Sequence, residues 1–205
     1  AYPPRVYAKQ PFATGKFEAV MVHDKIIRKV PHLIHQTWKT SDVPEYWMDS
    51  INSWKLYHPT YTHVLWTDDD LLQLISDAYP WARDAYLRLK HNIMRVDFAR
   101  VAVLHAYGGV YSDLDLQPTR SLQPLIDMFT SDDTGFSVAI VAGPSSWGGM
   151  CLSNFFMFGF QHAEWWLSYF CYVVNSSWKQ LQPWYIRALM TIRHYDVIAS
   201  TGPAA

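Results

Sequence analysis

The sequence has few cysteines, no long basic stretch and no long apolar run. Its two cysteines, Cys151 and Cys171, are too few for a disulfide framework and are compatible either with one bridge or with two buried thiols. The formal net charge is −1, and the lack of a basic run argues against nucleic-acid binding. No run approaches the roughly 18–20 apolar residues of a membrane-spanning helix, so we expect no membrane span in this sequence.

The remaining composition is that of a folded domain. Half of the 205 residues are hydrophobic and 17% are charged, which excludes a disordered chain and is enough for one domain with a substantial core. Residues 1–30 are predicted to be an irregular lead-in and residues 31–205 to be the folded domain. Aromatic residues make up 16% of the chain. They either pack in the core or offer flat faces to a sugar or a base, and composition does not distinguish these uses.

Hydrophobic patterning predicts strands alternating with helices. The predicted strands are 32–38, 61–66, 110–112, 136–142 and 152–160, and the predicted helices are 44–57, 80–91, 94–107 and 162–174, with a further helix beginning near residue 68. This alternation is typical of an α/β fold with a mainly parallel central sheet. Ligands of such sheets bind at the carboxyl ends of the strands, where Trp38, Asp68 and Asp113 are all expected.

Two D-x-D triplets occur, and their contexts differ. Asp68–Asp70 stands at a predicted helix start, where the better interpretation is helix capping. Asp113 and Asp115 follow a helix, a Gly-Gly turn and a short strand, and no helix begins there. Paired carboxylates at a strand end are costly unless they face water or a cation. They are hard oxygen ligands suited to Mn²⁺ or Mg²⁺ carrying a diphosphate.

The helix before this triplet carries a second candidate pair. Asp97 and Arg100 are three residues apart and therefore share one helix face. They form either a structural ion pair or a pair directed at substrate hydroxyls beyond the end of the sheet.

Several motifs together resemble one known family. RVDFAR at 95–100 followed by YGGVYSDLD at 107–115 is similar to the signature of the DXD-containing glycosyltransferases of family 32. PHLIHQTWKT at 31–40, VLWTD at 64–68 and STGP at 200–203 resemble further motifs of that family. PEYW at 44–47 and YPW at 79–81 most resemble its inositol phosphoceramide mannosyltransferases. The resemblance covers roughly residues 30–203.

The resemblance implies a GT-A fold, a Rossmann-like nucleotide-sugar domain, and specific site residues. Asp115 would bind the metal, Mn²⁺ or Mg²⁺, with Asp113 beside it, and the catalytic set would add Asp97 and Arg100. The donor-binding residues implied are Thr37, Trp38, Asp97, Arg100, Tyr111, Asp113 and Asn154. Trp38 is alternatively a core tryptophan, and Asn154 alternatively makes a turn-side hydrogen bond. His162 matches the position of the family's acceptor-side histidine, or is a capping or surface residue.

The implied activity is retaining transfer of a hexose. The first hypothesis is mannose transfer from GDP-mannose to a glycolipid or glycan, and the second is a UDP-glucose or UDP-galactose transferase. A third is a non-catalytic nucleotide-sugar or carbohydrate-binding domain, because the family's later His, Ser and Trp segment does not follow residue 203. The resemblance also implies the secretory pathway or Golgi lumen, where the Asn175 sequon would matter.

Overall fold

The computed structural model describes residues 20–22, 25–27, 29–131, 138–144 and 150–175. The strands in these ranges are β1 (Val20–Val22), β2 (Lys25–Ile27), β3 (Leu33–Thr37), β4 (Thr62–Trp66), β5 (Gly109–Ser112), β6 (Val138–Pro144) and β7 (Met150–Gly159). The α-helices are α1 (Glu45–Tyr57), α2 (Asp68–Ala78), α3 (Arg83–Arg88), α4 (Asn92–Tyr107), α5 (Gln123–Ser131) and α6 (Glu164–Asn175), and a 3₁₀ turn (Pro80–Ala82) precedes α3.

The central sheet has five strands in the order β4-β3-β5-β7-β6. β3 is parallel to both β4 and β5, whereas β7 is antiparallel to β5 and to β6. Four strands therefore run in one direction and β7 runs in the other. The predicted α/β class with a mainly parallel sheet is confirmed.

Helices cover both faces of this sheet. Leu71 of α2, Leu104 of α4 and Phe170 of α6 belong to one buried cluster, whereas Trp54 of α1 and Ile126 of α5 belong to a second one. Successive residues of β5 and of β7 point to opposite faces of the sheet, so each strand contributes side chains to both clusters. The residues Tyr111 and Met157 belong to the first cluster and Val110 and Phe158 to the second.

Two local motifs fix the start of α2 and the end of α4. At α2, Thr67 is the N-cap, and Asp70 closes a capping box by accepting bonds from the Thr67 backbone N–H and hydroxyl. The prediction that the Asp68–Asp70 triplet begins a helix is confirmed, but the cap itself is Thr67. At the end of α4, Gly108 has φ +63°, and a Cβ there would lie 2.5 Å from the Gln161 nitrogen. Only glycine fits this position without strain.

Two of the expected sequence segments differ in the structure. β1 and β2 form a short antiparallel pair within the segment expected to be irregular, consistent with their β-branched residues. The helix predicted at 80–91 is shorter, because a 3₁₀ turn occupies Pro80–Ala82 and α3 ends at Arg88.

None of the helices in the described ranges has the length and apolar character needed to cross a membrane. The STGP motif at 200–203 and the side chains of Cys151 and Cys171 lie outside the described part of the chain.

A buried histidine of β3 contacts β4 and the turn before β5, and it makes the fold sensitive to acid. His35 on β3 accepts a 3.0 Å hydrogen bond from Trp66 Nε1 at Nδ1, and its Nε2 lies 2.9 Å from the Gly108 carbonyl. Both contacts are satisfied by one neutral tautomer. Burial lowers the pKa of His35 from 6.5 to about 4, partly offset by the Gly108 bond.

Acidification is therefore expected to destabilise the protein through His35. The unfolded chain takes up this proton near pH 6.5 and the folded chain only near pH 4, so stability falls as the pH drops between these values. The loss from this residue is about 3 kcal/mol at 1.36 kcal/mol per pKa unit. Urea unfolding at a series of pH values between 7 and 4 measures this loss of unfolding free energy. His35→Gln, which can replace both hydrogen bonds, should lose correspondingly less stability over this range, whereas His32→Gln at an exposed position should behave like the wild type.

Candidate active site

The carboxyl ends of β3, β4 and β5 open onto one cleft of about 480 Å³. Five of the residues predicted for the site line it, namely Thr37, Trp38, Arg100, Asp113 and Asp115. The other lining residues are Lys39, Trp47, Asp68, Asn92, Ile93, Val96 and Leu114. The cleft therefore occupies the edge of the sheet at which the sequence predicted a ligand site.

Asp113 occupies a restricted, partly buried position at the end of β5. Its Oδ1 accepts a 2.8 Å hydrogen bond from the Tyr111 hydroxyl and lies 3.4 Å from Arg100 Nη1. Burial raises the pKa of Asp113, Arg100 and Tyr111 act to lower it, and the carboxylates of Asp115 and Asp97 raise it further. The overall shift is upward, mainly because burial disfavours the charged carboxylate.

Arg100 is the cation at the centre of the site. Its guanidinium lies 2.8 Å from Asp97 Oδ1 and donates a 2.9 Å bond to the Asn154 carbonyl. It also lies 4.9 Å from the Tyr111 ring centroid, within the range of a cation–π contact. The Arg100 side chain is only 3% exposed, so its position is set by these partners rather than by solvent.

Asp97 and Asn154 lie behind Arg100 rather than on the cleft wall. The Asn154 side-chain amide donates a 3.1 Å bond to Asp97 Oδ1, and neither residue is among the described residues that line the cleft. The i,i+3 pair predicted from the sequence is present as a buried ion pair. Asn154 is on strand β7, not in a turn, so its alternative interpretation as a turn residue is wrong.

Asp115 differs from Asp113 because it is exposed to solvent while still lining the cleft. Asp97 and Asp113 share the positive charge of Arg100, and Lys39 is a second cation on the cleft wall. The described residues contain no cluster of three or more acidic, His or Cys side chains that could by itself hold a metal ion. Two carboxylates beside an open cleft do fit Mg²⁺ or Mn²⁺, which are commonly held by one or two carboxylates and substrate phosphates.

The loop that carries Asp113 and Asp115 is held by buried side chains of β3 and α1. Gln36 Nε2 donates to the Asp113 carbonyl at 3.3 Å and to Ser50 Oγ at 3.2 Å. Ser50 Oγ in turn donates to the Leu116 carbonyl at 2.7 Å. The loop backbone is therefore fixed on both sides of the two aspartates.

Gln36→Leu is expected to lower the free energy of unfolding by about 2 kcal/mol, because it leaves buried polar groups of His63 and the loop without their Gln36 bonds. It should also weaken the binding of added Mn²⁺ by the loop, since the loop loses a fixed contact. Chemical denaturation and a Mn²⁺ titration measure the two effects. Gln73→Leu, at an exposed position of α2, should change neither, and an unchanged Gln36→Leu variant would show that the loop is held by other contacts.

Trp38 lies just beyond the end of β3 and forms part of the cleft wall. Its backbone N–H donates to the Trp66 carbonyl at 2.9 Å, and its ring meets Trp47 edge-on at 6.4 Å. Lys39 Nζ lies 5.5 Å from the Trp38 ring centroid. The alternative interpretation of Trp38 as a core tryptophan is wrong, because the ring is half-buried and faces the cleft.

Thr37 connects the first strand to the Asp113 network. Its hydroxyl lies 3.0 Å from the Tyr111 hydroxyl, which donates to Asp113. Thr37 therefore supplies the proton in this contact and orients the Tyr111 hydroxyl toward the carboxylate. Tyr111 itself is fully buried, so its link to the cleft passes through Thr37, Arg100 and Asp113.

His162 lies away from this site. β7 is antiparallel, so the residues that follow Gly159 emerge at the opposite edge of the sheet from Asp113. There the His162 backbone N–H donates to the His105 carbonyl, and the two imidazoles lie 5.3 Å apart. The expected acceptor-side position is therefore not supported, and the alternative of a surface histidine fits better.

Trp47 and Asn92 are cleft residues that sequence reasoning did not identify. Trp47 lies in the first turn of α1, and Asn92 begins α4. Both come from helix starts that tertiary packing places at the cleft, and no local pattern distinguishes them from surface residues. Asp68 was expected at this edge but was not assigned to the site.

Comparisons with known proteins agree with this geometry. The family described as "Glycosyltransferase sugar-binding region containing DXD motif" matches residues 44–132. The resemblance to the DXD-containing glycosyltransferases is confirmed. The matched region contains Asp68, Asp97, Arg100, Asp113 and Asp115.

Curated relatives and a solved structure extend the comparison. The chain is 43% identical over 97 residues to "Inositol phosphoceramide mannosyltransferase 3" of Schizosaccharomyces pombe, covering 47% of this chain and 27% of that protein. It is 30% identical over 104 residues to "Initiation-specific alpha-1,6-mannosyltransferase" of Saccharomyces cerevisiae, covering 47% of this chain and 21% of that protein. The matches thus span about a quarter of these relatives' length. A solved "PaToxG Glycosyltransferase" superposes with a TM-score of 0.53 at 13% identity, covering 86% of this chain and 67% of that one, and this likeness shows a shared fold.

Proposed function

We propose that this protein is a metal-dependent retaining mannosyltransferase that transfers mannose from GDP-mannose to a glycolipid. The observation that carries the proposal is the cleft at the carboxyl ends of β3 and β5, which brings Trp38, Arg100, Asp113 and Asp115 together. The matching relatives named as mannosyltransferases support the sugar, and those named for inositol phosphoceramide support the acceptor. By the same reasoning, we propose a secretory-pathway or Golgi location.

In this proposal the donor lies along the edge of the sheet. Trp38 would offer a flat face for the nucleotide base, and Asp115, beside Asp113, would hold Mn²⁺ or Mg²⁺. The bound cation would stabilise the negative charge that develops on the leaving diphosphate. Arg100 and Asp113 would face the transferred sugar, since both line the cleft together with Asp115.

Asp97 and Asn154 act indirectly, through their contacts with Arg100. Asp97 holds one side of the Arg100 guanidinium, and Asn154 contacts both residues of the pair. This packing fixes the direction of Arg100 before the donor arrives, so no reorganisation is needed as charge develops. Their role is therefore to position Arg100, with direct sugar contact left to the residues on the cleft wall.

Glycosyl transfer builds positive charge at the anomeric carbon while the diphosphate departs. Apart from Asp113 and Asp115, the carboxylate among the described lining residues is Asp68, which follows β4, two strands away from Asp113, and we assign none of the three as a covalent nucleophile. The anomeric configuration is then retained, because the acceptor hydroxyl attacks the sugar from the same face as that from which the phosphate leaves. The departing phosphate oxygen takes the proton of that hydroxyl.

The decisive experiment is a transfer assay with defined substrates. The protein is incubated with Mn²⁺, inositol phosphoceramide and GDP-mannose, UDP-glucose or UDP-galactose in separate reactions, and the lipid product is identified by mass spectrometry and NMR. We expect mannosylated lipid with retained anomeric configuration from GDP-mannose. Transfer only from a UDP-sugar would reassign the donor, inversion would refute the mechanism, and nucleotide-sugar binding without turnover in any reaction would indicate a binding domain.

A further inference from the structure

A polar pair faces the cleft at the end opposite the DXD loop. Asp68 lies two residues beyond the end of β4, and Asn92 is the first residue of α4. Asn92 Nδ2 donates a 2.7 Å hydrogen bond to Asp68 Oδ2, and both residues line the same cleft as Trp38. The contact joins residues 24 positions apart, so the fold itself builds this pair.

The order of the strands separates the Asp68–Asn92 pair from the metal position proposed at Asp115. β3 lies between β4 and β5, so Trp38 stands between Asp68 and Asp113 along the sheet edge. Two strand spacings amount to about 10 Å, which is too far for Asp68 to share a cation with Asp113. A donor whose diphosphate lies at Asp115 and whose base stacks on Trp38 would therefore place the edge of its base toward Asp68.

The chemistry of the pair discriminates between bases. An ionised carboxylate only accepts hydrogen bonds, and its two oxygens offer about four acceptor positions, of which Asn92 occupies one. Guanine presents two adjacent donors, N1–H and the N2 amino group, which match a carboxylate in the bidentate manner. Uracil presents one N–H between two carbonyl oxygens, and those oxygens would be repelled. Lys39, also on the cleft wall, supplies a positive charge suited to the guanine O6 oxygen.

We propose that Asp68, oriented by Asn92, is the residue that selects guanine as the base of the nucleotide donor. This inference rests on the proposed function and adds the residues that recognise the guanine base of its donor. It predicts that the protein binds guanosine diphosphate in preference to nucleotides lacking either of the two guanine donors.

The test measures binding of four nucleoside diphosphates in the presence of Mn²⁺ by isothermal titration calorimetry. For the wild type we expect GDP to bind about tenfold or more tightly than inosine diphosphate, which lacks the N2 amino group, and more tightly still than UDP. Asp68→Asn should weaken GDP binding by about tenfold or more. The amide it introduces can donate to the O2 of xanthine, so xanthosine diphosphate should bind this variant more tightly than it binds the wild type.

Asp69→Asn is the matched control, because Asp69 is the exposed neighbour of Asp68 and is not among the described residues that line the cleft. It should keep the wild-type order of affinities. Equal binding of GDP and inosine diphosphate by the wild type, or an unchanged preference in Asp68→Asn, would overturn this inference. A preference for UDP would overturn it while leaving a glycosyltransferase donor site in place. No binding of any nucleoside diphosphate would overturn the proposed function as well.

Discussion

Asp115→Ala is expected to reduce Mn²⁺-dependent sugar transfer by about 100- to 1,000-fold, the range set by losing a major source of transition-state charge stabilisation. Asp115 is exposed and lines the cleft, so its removal should leave the folded structure intact. Asp113→Ala should also abolish transfer, but with a loss of stability, because Asp113 contacts Tyr111 and Arg100. Initial rates and thermal melting of both variants measure these effects.

The control for this pair is Asp69→Ala, which removes an exposed carboxylate at the start of α2 outside the lining of the cleft. It should retain wild-type transfer and melting temperature. If transfer with Mn²⁺ persisted unchanged in both Asp113→Ala and Asp115→Ala, the assignment of the D-x-D pair to the metal and donor would be wrong. A large drop in melting temperature for Asp115→Ala would instead indicate a structural role for that residue.

Arg100→Met is expected to lower the free energy of unfolding by about 3–5 kcal/mol, the usual cost of removing one partner from a buried ion pair. Arg100 is 3% exposed, and without it the carboxylates of Asp97 and Asp113 would lose their shared cation. Arg100→Lys should recover only part of this loss, because an ammonium cannot reproduce the guanidinium's bonds to Asp97 and the Asn154 carbonyl together. Equilibrium unfolding in urea measures the differences.

The matched control is Arg88→Met at an exposed position in the last turn of α3, which should change stability by no more than about 0.5 kcal/mol. The double variant Asp97→Asn/Arg100→Met should be more stable than Arg100→Met alone, since it removes one of the two uncompensated charges. A stability loss for Arg100→Met no larger than that of Arg88→Met would show that the buried network does not hold the site together.

The local elements could be predicted from the sequence, but their assembly could not. The apolar run at 32–38 became β3, and the periodic segment at 94–107 became most of α4, because hydrophobic periodicity follows directly from which face is buried. The order β4-β3-β5-β7-β6 and the antiparallel direction of β7 depend on contacts between distant segments. That direction also carries His162 to the far edge, so topology favours the surface interpretation of this residue over the acceptor-side one.

The same limit applies to the site. Asp97 and Arg100 could be paired because residues three apart share a helix face, and Asp113 with Asp115 could be placed because strand ends are predictable. The contacts of Gln36 with Ser50 and the Asp113 carbonyl, and of Asn92 with Asp68, join residues from separate elements. No spacing along the chain encodes them. Sequence therefore indicated the chemical groups of the site but not the side chains that fix their directions.

The most direct test of the central claim is electron paramagnetic resonance of Mn²⁺ titrated with the protein and GDP. We predict that the signal of free Mn²⁺ decreases as wild-type protein is added in the presence of GDP, and that this decrease is lost in Asp115→Ala while Asp69→Ala behaves as the wild type. Equal loss of the free signal with wild type and Asp115→Ala would contradict the claim that the Asp113-Leu114-Asp115 loop holds the metal and the diphosphate.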